Sequence, residues 1–352
     1  MVLPSLHNLI ADDLSVDLGT TNTLIAARGR GIVASGPSLI ALSEENGEVV
    51  AVGMEALDMK GHQPLGVQVL SPMRGGVVTN PGLTAKMLSW FLRRARGGRM
   101  HFIKHVIIGI PPHLTDVELR ALQAAVDEAG ASKVYLISQG FAAAVGAGLP
   151  VTESKALMIV SIGGAVTNVT VIASSRIIHA LAEPVGGILM DAALEEHFRK
   201  EYGLIVSDRT AERVKMELGS ATPPDEGRVS TVIGQSMRED KPQMVEVTAE
   251  EVFEVIEPIS AQIVSTVRRS LEGLPPDAAA DIYVRGIVIT GGTSLLKGLR
   301  GRIEKETGLK VRVSENPLHS AALGGARLYD NPLLLRKAVR GVEAGLSGRL
   351  PG

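Results

Sequence analysis

Two short stretches, Asp17-Leu-Gly-Thr-Thr-Asn-Thr23 and Ser161-Ile-Gly-Gly-Ala-Val-Thr167, decide the fold of this chain. Each follows an apolar run typical of a buried β-strand, and a second apolar run follows each. Glycine lets a backbone approach a ligand closely, and successive N–H groups with Thr hydroxyls can surround a phosphate. The repeat predicts two related halves that face each other across a cleft.

A third glycine turn, Thr290-Gly-Gly-Thr-Ser294, follows the apolar residues 287–289 and is expected to open a helix. Taken alone, the first turn is explained equally well as an Asx-type turn of a β-hairpin. Three strand-to-glycine turns in one chain instead indicate a nucleotide site, at which Asp17 could hold a hydrated Mg²⁺. The chain has neither the Gly-x-x-x-x-Gly-Lys of a P-loop nor the Gly-x-Gly-x-x-Gly of a dinucleotide turn.

Short β-rich runs alternate with amphipathic helical patterns, which predicts the α/β class. Thr115-x-x-Glu118 and Thr248-x-x-Glu251 each precede an apolar helical stripe and predict the N-termini of two helices. The predicted strands are residues 14–16, 23–27, 106–110, 134–137, 157–160, 169–173 and 287–290.

Composition excludes several classes of function. At 352 residues the chain is long enough for more than one core, and its net charge of -2 argues against a nucleic-acid partner. The absence of Cys excludes disulfides, thiolate metal sites and Cys nucleophiles. Neither a bilayer-spanning apolar run nor a basic signal-peptide N-terminus is present, and Ser-His-Asp and His-Glu-x-x-His arrangements are missing. We expect a cytoplasmic protein.

Further blocks of sequence carry a family resemblance. With the glycine turns, they make the chain resemble the MreB-like bacterial actins, within the superfamily of actin, heat-shock chaperones and sugar kinases, from about residue 14 to residue 328. The blocks are Ser71-Pro-Met-Arg-Gly-Gly-Val77, Ala142-Ala-Ala-Val-Gly-Ala-Gly-Leu-Pro-Val151, Ala211-Glu-Arg-Val-Lys215, Glu217-Leu-Gly-Ser-Ala221 and Thr290-Gly-Gly-Thr-Ser-Leu-Leu-Lys-Gly-Leu299.

The resemblance implies an actin-like fold: two related halves, each with a mixed sheet flanked by helices, and a nucleotide cleft between them. It further implies four subdomains. These are subdomain IA at residues 1–34, 78–148 and 320–352, IB at 35–77, IIA at 149–186 and 255–319, and IIB at 187–254.

The resemblance also implies ATP or ADP with Mg²⁺ as the cofactors. Glu212 and Lys215 would contact ribose and adenine, although a surface pair of charges three residues apart on a helix is the alternative for these two. The remaining roles are Asp17 facing the metal, Gly19, Thr20, Thr21, Asn22, Gly163, Gly164 and Ala165 binding the phosphates, and Gly291, Gly292 and Thr293 closing over the nucleoside.

The candidate catalytic residues are Asp17, Gln139 and Ser161, and the chain departs from the family pattern at the last two. Ser161 replaces an Asp at the start of the second turn, and Gln139 stands where the MreB branch has a Glu that polarises water. A positioned general base contributes roughly 10² to 10⁴ in rate, so we expect hydrolysis of ATP to be slow or impaired. Asn168 and the pair Ile188-Leu189 also differ from the family.

The most basic stretch of the chain, Arg93-Arg-Ala-Arg-Gly-Gly-Arg-Met-His-Phe-Ile-Lys104, occupies the place where MreB-like proteins insert an apolar loop into the membrane. Met100 and Phe102 would insert, and Arg96 and Arg99 would face anionic lipid. The alternative is a solvated helix end with Phe102 in the core.

Three hypotheses for function remain. The first is a cell-shape-determining protein that binds ATP and self-assembles into filaments, peripheral on the inner face of the cytoplasmic membrane, where it works with cell-wall elongation proteins. The second is a non-polymerising pseudo-ATPase that acts as a nucleotide-dependent regulator. The third is a small-molecule kinase, which Ser161 disfavours because such kinases commonly need a carboxylate there.

Overall fold

The computed structural model describes residues 11–97, 102–112, 114–131, 133–239 and 241–347. The described residues form two compact units. Unit 1 comprises those of Met1–Ile159, Thr170–Ala182 and His319–Gly352, and unit 2 comprises Val160–Val169 and those of Glu183–Leu318.

Strands alternate with helices along the chain, as the sequence pattern predicts. The strands are β1 (Ala11–Leu18), β2 (Asn22–Ala27), β3 (Gly31–Pro37), β4 (Ile40–Ser43), β5 (Val49–Val52), β6 (Val67–Leu70), β7 (Met73–Arg74), β8 (Val77–Val78), β9 (Phe102–Ile110), β10 (Val134–Ser138), β11 (Leu157–Ile162), β12 (Thr167–Ala173), β13 (Arg176–Glu183), β14 (Leu204–Ile205), β15 (Val229–Ser236), β16 (Pro242–Thr248), β17 (Ile287–Thr290) and β18 (Val311–Val313). All seven predicted strands are confirmed.

The described helices are α1 (Met54–Met59), α2 (Pro81–Arg96), α3 (Asp116–Glu128), α4 (Gln139–Gly146), α5 (Gly187–Glu201), α6 (Asp208–Leu218), α7 (Ala249–Glu272), α8 (Pro276–Arg285), α9 (Leu299–Thr307), α10 (Ser320–Leu328) and α11 (Pro332–Ser347). Thr115 and Glu118 form the predicted capping box of α3. Thr248 caps α7 as predicted, and the carboxylate of Glu251 accepts hydrogen bonds from Tyr202. None of the described helices is long and apolar enough to cross a membrane.

The two five-stranded sheets have the same topology, which confirms the prediction of two related halves. The first sheet has the order β10-β9-β1-β2-β3 and the second has the order β13-β12-β11-β17-β18. In each sheet, the strand that comes first in the sequence lies at the centre. The next two strands in the sequence lie on one side of it, and the last two lie on the other side.

The first sheet is mixed, because β1, β9 and β10 run parallel whereas β1, β2 and β3 run antiparallel. Leu14, Val106, Ile108 and Phe91 are fully buried in the core of unit 1, where α2 packs on the sheet. This packing fixes the carboxyl end of β1, from which the first glycine turn begins.

Three smaller sheets complete the described fold. In unit 1, β4 lies between β5 and β6, and β7 pairs with β8. In unit 2, β15 lies between β14 and β16. In the second large sheet β17 and β18 are parallel, and a 3₁₀ turn at Gly292–Leu295 follows β17. The helix predicted after the third glycine turn is therefore a single 3₁₀ turn, and α9 begins at Leu299.

Candidate functional site

The first glycine turn joins β1 to β2 and is closed by a hydrogen bond from the Gly19 amide to the Asn22 carbonyl oxygen at 3.0 Å. A Cβ at Gly19 would lie 2.7 Å from that oxygen, so the turn requires glycine for space. The Thr20 hydroxyl accepts a hydrogen bond from the Gly76 amide at 2.7 Å. The amides of Thr20 and Thr21 have no acceptor among the described residues. Two N–H groups are therefore available to an anion.

Two of the three predicted catalytic residues lie together in unit 1. The side-chain amide of Gln139 donates to Asp17 Oδ1 at 2.8 Å, and Gln139 is held at the first position of α4, which Ser138 caps. Asp17 is half-buried, and burial raises its pKa while the hydrogen bond from Gln139 acts in the opposite direction. Its second carboxylate oxygen has no partner in the described part of the chain. That oxygen is free to face a cation.

The second glycine turn joins β11 to β12 and repeats the hydrogen bonding of the first. The Gly163 amide donates to the Val166 carbonyl oxygen at 2.9 Å, as Gly19 does in the first turn. The next two amides, of Gly164 and Ala165, again have no acceptor within the described ranges. The sequence repeat is thus a repeat of structure and of available donors.

The start of α5 is attached to the second turn through backbone hydrogen bonds. The amides of Gly187 and Ile188 donate to the carbonyl oxygens of Gly163 and Gly164, at 3.2 and 2.7 Å. A Cβ at Gly186 would lie 2.4 Å from the Gly163 oxygen, which excludes any other residue at that position without a backbone shift. The carbonyl oxygens of the turn therefore accept hydrogen bonds from α5, whereas the amides of Gly164 and Ala165 remain available as donors.

The third glycine turn packs against the second. The Thr293 hydroxyl donates to the Gly163 carbonyl oxygen at 2.9 Å. Gly291 has a φ of 87° and its Cβ position lies 2.3 Å from the Ile162 carbonyl oxygen, so conformation and space both require glycine. Gly292 begins the 3₁₀ turn. The structure therefore brings together the predicted residues Gly163, Gly164, Gly291, Gly292 and Thr293.

Lys215 on α6 reaches α5 rather than the neighbouring residues of its own helix. Its ammonium group lies 2.8 Å from the Asp191 carboxylate and donates to the Gly187 carbonyl oxygen at 3.3 Å. Burial raises the pKa of Asp191 to about 6, against the opposing effect of Lys215. Glu212 is exposed and makes no ion pair with Lys215 within 4 Å, so the surface-pair alternative does not describe Lys215.

Comparisons with known proteins agree with this geometry. The model of the MreB/Mbl protein family matches residues 11–337. This chain belongs to the MreB/Mbl family. The cell shape-determining protein MreB of Escherichia coli is 38% identical over 334 residues, covering 94% of this chain and 96% of that protein. Mbl of Bacillus subtilis is 33% identical over 323 residues, covering 92% and 97%.

Solved structures of MreB-like proteins show the same fold. The crystal structure of MreB5 of Spiroplasma citri bound to ADP has a TM-score of 0.85 and 26% identity, covering 93% of this chain and 98% of that one. The MamK double helical filament, at 18% identity, has a TM-score of 0.76. The actin-like fold of this MreB/Mbl member is therefore confirmed.

Four of the residues that the resemblance predicts to differ from the family pattern, Ser161, Asn168, Ile188 and Leu189, lie in β11, β12 and α5, whereas the fifth, Gln139, begins α4 in unit 1. Ser161 is half-buried near the end of β11 and places a hydroxyl, not a carboxylate, before the second turn. Asn168 is 5% exposed within β12. Ile188 and Leu189 are 39% and 41% exposed at the start of α5. The turn retains its backbone donors despite these replacements.

The predicted membrane residues are only partly within the described chain. Met100 and Arg99 lie outside the described residues, as does the side chain of Phe102, whose backbone begins β9. Arg96 is the last residue of α2 and is half-buried. The membrane role of these four residues stays a prediction.

The sequence did not predict that Asp191 pairs with Lys215 or that Gly186 and Gly187 pack against the second glycine turn. The pair of glycines before an apolar helix was a usable signal for a close backbone approach. Asp191 gave no comparable signal, because its partner Lys215 follows on a different helix.

The described residues fit a phosphate and a magnesium ion. Each turn presents two amides without an acceptor, and one Asp17 oxygen is unpartnered among the described residues. Mg²⁺ commonly takes one or two protein carboxylates and fills its remaining positions with phosphate oxygens and water. A single carboxylate beside amide donors is therefore a sufficient protein contribution.

Proposed function

We propose that this chain is an ATP-binding, MreB-like cytoskeletal protein that assembles into filaments on the inner face of the cytoplasmic membrane and guides cell-wall synthesis. The observation that carries the proposal is the pair of matching turns, each closed by a glycine amide and each presenting two amides without an acceptor among the described residues. Repeated donors of this kind suit the repeated phosphates of a nucleotide.

The proposed nucleotide contacts follow the two turns. Gly19, Thr20, Thr21 and Asn22 bind phosphate oxygens in unit 1, and Gly163, Gly164 and Ala165 do so in unit 2. Glu212 and Lys215 contact the ribose and adenine, and Gly291, Gly292 and Thr293 close over the nucleoside. The MreB5 structures of Spiroplasma citri, which contain ADP and AMPPNP, support a nucleotide ligand at 26% identity.

Asp17 is the proposed Mg²⁺-facing residue. When bound, Mg²⁺ would neutralise charge on the phosphate oxygens. Asp17 would contribute its unpartnered oxygen, and the hydrogen bond from Gln139 to the other oxygen would fix the orientation of the carboxylate.

Hydrolysis is proposed to be slow. Gln139 is a neutral side chain whose amide group donates to Asp17, so it can orient a water molecule but cannot remove a proton efficiently. Ser161 adds no carboxylate on the second turn. We therefore expect the nucleotide to remain bound as ATP for long periods.

The cellular part of the proposal rests on the relatives, whose names describe them as cell shape-determining proteins. Self-assembly would multiply weak membrane contacts through effective concentration. Met100, Phe102, Arg96 and Arg99 are the proposed membrane residues, and cell-wall elongation proteins are the proposed partners.

A non-polymerising pseudo-ATPase is the second candidate function, and Ser161 is the observation that favours it. In that case the chain would bind nucleotide and regulate other cell-shape proteins without forming filaments. The kinase hypothesis is not carried forward, because the chain belongs to the MreB/Mbl family.

Two measurements on the purified protein test the proposal. Calorimetric titration with Mg-ATP measures binding, and ultracentrifugal pelleting with Mg-ATP and lipid vesicles measures assembly. Binding with pelleting supports the filament, whereas binding with only monomers at every concentration supports the regulator. No detectable Mg-ATP binding contradicts both candidates.

A further inference from the structure

Unit 1 contains a groove of about 620 Å³ that none of the nucleotide residues enters. The turn between β4 and β5, at residues 46–49, forms one wall, and Ala129 at the end of α3 forms another. One face of α2 forms the floor. We call it the basic groove because of its charged lining residues, Lys86, Arg93 and Arg96.

The three cations lie on one face of α2. Lys86, Ser89, Arg93 and Arg96 recur at helical spacing, so their side chains point to the same side of the helix. All four line the basic groove. A charge stripe of this kind along a groove differs from charges scattered over a solvated surface.

The cations of the stripe form no ion pair within the described chain. No described carboxylate oxygen lies within 4 Å of Lys86, Arg93 or Arg96 in an ion pair. Glu48 is the single carboxylate among the lining residues, and Asn46 already donates to it at 3.1 Å. The groove therefore carries an excess of positive charge.

The existing hydrogen bonds leave most of the donors of the stripe free. Lys86 donates to the Gly47 carbonyl oxygen at 2.9 Å, and Arg93 Nε donates to the Ser89 carbonyl oxygen at 3.3 Å. Arg96 Nε is buried and has no hydrogen-bond partner among the described residues. A buried donor without a partner is costly, so this N–H is a donor that an acceptor beyond the described residues would satisfy.

The helix dipole explains only part of this pattern. Cations near the C-terminus of α2 interact favourably with its terminal carbonyl groups, which accounts for Arg93 and Arg96 in the last turn. Lys86 lies in the middle of the helix, beyond the range of that effect, and it points into the same groove.

We propose that the basic groove binds a phosphate-bearing anion through Lys86, Arg93 and Arg96. Guanidinium groups bind phosphate through paired N–H donors, and an ammonium group adds a point charge. The anion could be part of a lipid headgroup or of a soluble phosphate compound, which present the same chemistry to the groove. The proposal does not depend on nucleotide binding.

The test compares two groove variants with a control variant on the same helix that removes a cation outside the groove. Lys86→Gln/Arg93→Gln removes two exposed cations of the groove, and Arg93→Gln/Arg96→Gln removes both guanidiniums. Arg94→Gln is the control, because Arg94 lies in the same helical turn, stacks on the Trp90 ring and does not line the groove. Circular dichroism melting curves establish that each variant is folded.

Two probes distinguish the sources of the anion. Inorganic pyrophosphate is titrated calorimetrically into protein saturated with AMPPNP, and vesicles of pure phosphatidylglycerol or pure phosphatidylcholine are used for co-sedimentation. Loss of charged hydrogen bonds should weaken binding of the anion at least about tenfold in the groove variants and less than about twofold in the control. Binding should also weaken as salt is raised.

If the groove variants lose binding of pyrophosphate alone, the site is assigned to soluble phosphate compounds. If they lose binding of phosphatidylglycerol vesicles alone, it is assigned to a lipid headgroup. A loss with both probes supports the shared chemistry. The proposal is overturned if the folded Lys86→Gln/Arg93→Gln variant binds both probes as tightly as Arg94→Gln does, or if wild-type protein binds neither.

Discussion

At the residue scale, the two matching turns differ in how strictly they require glycine. A Cβ at Gly19 would lie 2.7 Å from a backbone oxygen, whereas a Cβ at Gly163 would lie 3.3 Å from the equivalent oxygen. We expect Gly19→Ala to cost about 1 to 3 kcal/mol and Gly163→Ala to cost less, because the backbone must move farther to relieve the first contact than the second. Thermal unfolding followed by calorimetry measures the difference.

Gly301 provides the control for these glycine substitutions. It lies within α9, and nothing lies within 4 Å of the position of its Cβ. Gly301→Ala should stabilise the protein by about 0.5 to 1 kcal/mol, because alanine has the higher helix propensity. A Gly19→Ala protein as stable as wild type would contradict the steric argument.

The ion pair of Lys215 and Asp191 gives a prediction that depends on pH. Both side chains are largely buried, with exposed fractions of 15% and 13%. Lys215→Met leaves the Asp191 carboxylate without its cation, and we expect a loss of about 1 to 3 kcal/mol near pH 8, between the values for surface and buried pairs. Urea unfolding of both proteins measures this loss.

The sign of the pH effect follows from the pKa of Asp191. Its pKa is raised to about 6 in the folded protein, so the folded state binds its proton more tightly than the unfolded state. At pH 5 Asp191 is mostly neutral and needs Lys215 less, so the cost of Lys215→Met should be smaller at pH 5 than at pH 8. An equal cost at both values would show that the carboxylate charge is not what Lys215 stabilises.

Local sequence predicted the turns of the site better than it predicted the partners of their residues. The Gly19 and Gly163 turns were predictable because backbone conformation and close approach act over a few neighbouring residues. The hydrogen bond between Gln139 and Asp17 was not, since it joins residues far apart in the chain. Such contacts depend on how β1 and α4 pack, which no local pattern reports.

At the scale of elements, α4 and α10 approach so closely that glycine is required on both helices. A Cβ at Gly146 would lie 1.8 Å from the Ser320 carbonyl oxygen, and a Cβ at Gly324 would lie 1.8 Å from the Ala142 carbonyl oxygen. Neither atom is on a side chain that could rotate away. The two helices therefore touch backbone to backbone within unit 1.

We expect Gly324→Ala to destabilise the protein by about 3 kcal/mol or more, because the two helices must separate along their length. Gly341→Ala is the matched control, since Gly341 lies in α11 with nothing within 4 Å of its Cβ position. The melting temperature should fall by several degrees for Gly324→Ala and stay or rise for Gly341→Ala. If Gly324→Ala had the same melting temperature as Gly341→Ala, α10 would be shown to shift without a measurable cost in stability.

The sequence predicted which elements exist but not this contact between helices. Buried strands such as β11 and β17 stand out because their apolar runs are short and bounded by turn residues. The Thr115 capping box marks the start of α3 for the same local reason. From the local sequence, a glycine inside α4 or α10 is only a residue of low helix propensity. The need for glycine there follows from the close approach of the neighbouring helix, which the local sequence does not show.

At the scale of the whole molecule, the repeat is a repeat of topology as well as of sequence. Both large sheets place their first strand at the centre, and the glycine turn follows that strand in each. Because the turn occurs twice, the two copies can differ in sequence independently of each other. Gly163 makes the same backbone hydrogen bond as Gly19, but the second copy begins with Ser161 where the first begins with Asp17.

This divergence predicts how the purified protein handles Mg-ATP. If the missing carboxylate limits hydrolysis, Ser161→Asp should raise phosphate release by about 10² while leaving Mg-ATP affinity within a few-fold, because the turn amides proposed to bind phosphate are unchanged. Ser161→Ala is the control, since it removes the hydroxyl without adding an acid. Phosphate release is followed over hours, with affinity measured by calorimetry and assembly by pelleting on the same samples.

The three readouts separate turnover from assembly. Faster release in Ser161→Asp, with filaments that disassemble as ATP is consumed, would make the wild-type chain a filament protein held in its ATP state by one substitution. Equal release from Ser161→Asp and Ser161→Ala, with Mg-ATP still bound, would show that the serine is not the limiting change. The slow step would then have to be assigned to Gln139, whose hydrogen bond to Asp17 leaves it poorly suited to accept a proton, and Gln139→Glu would become the decisive variant.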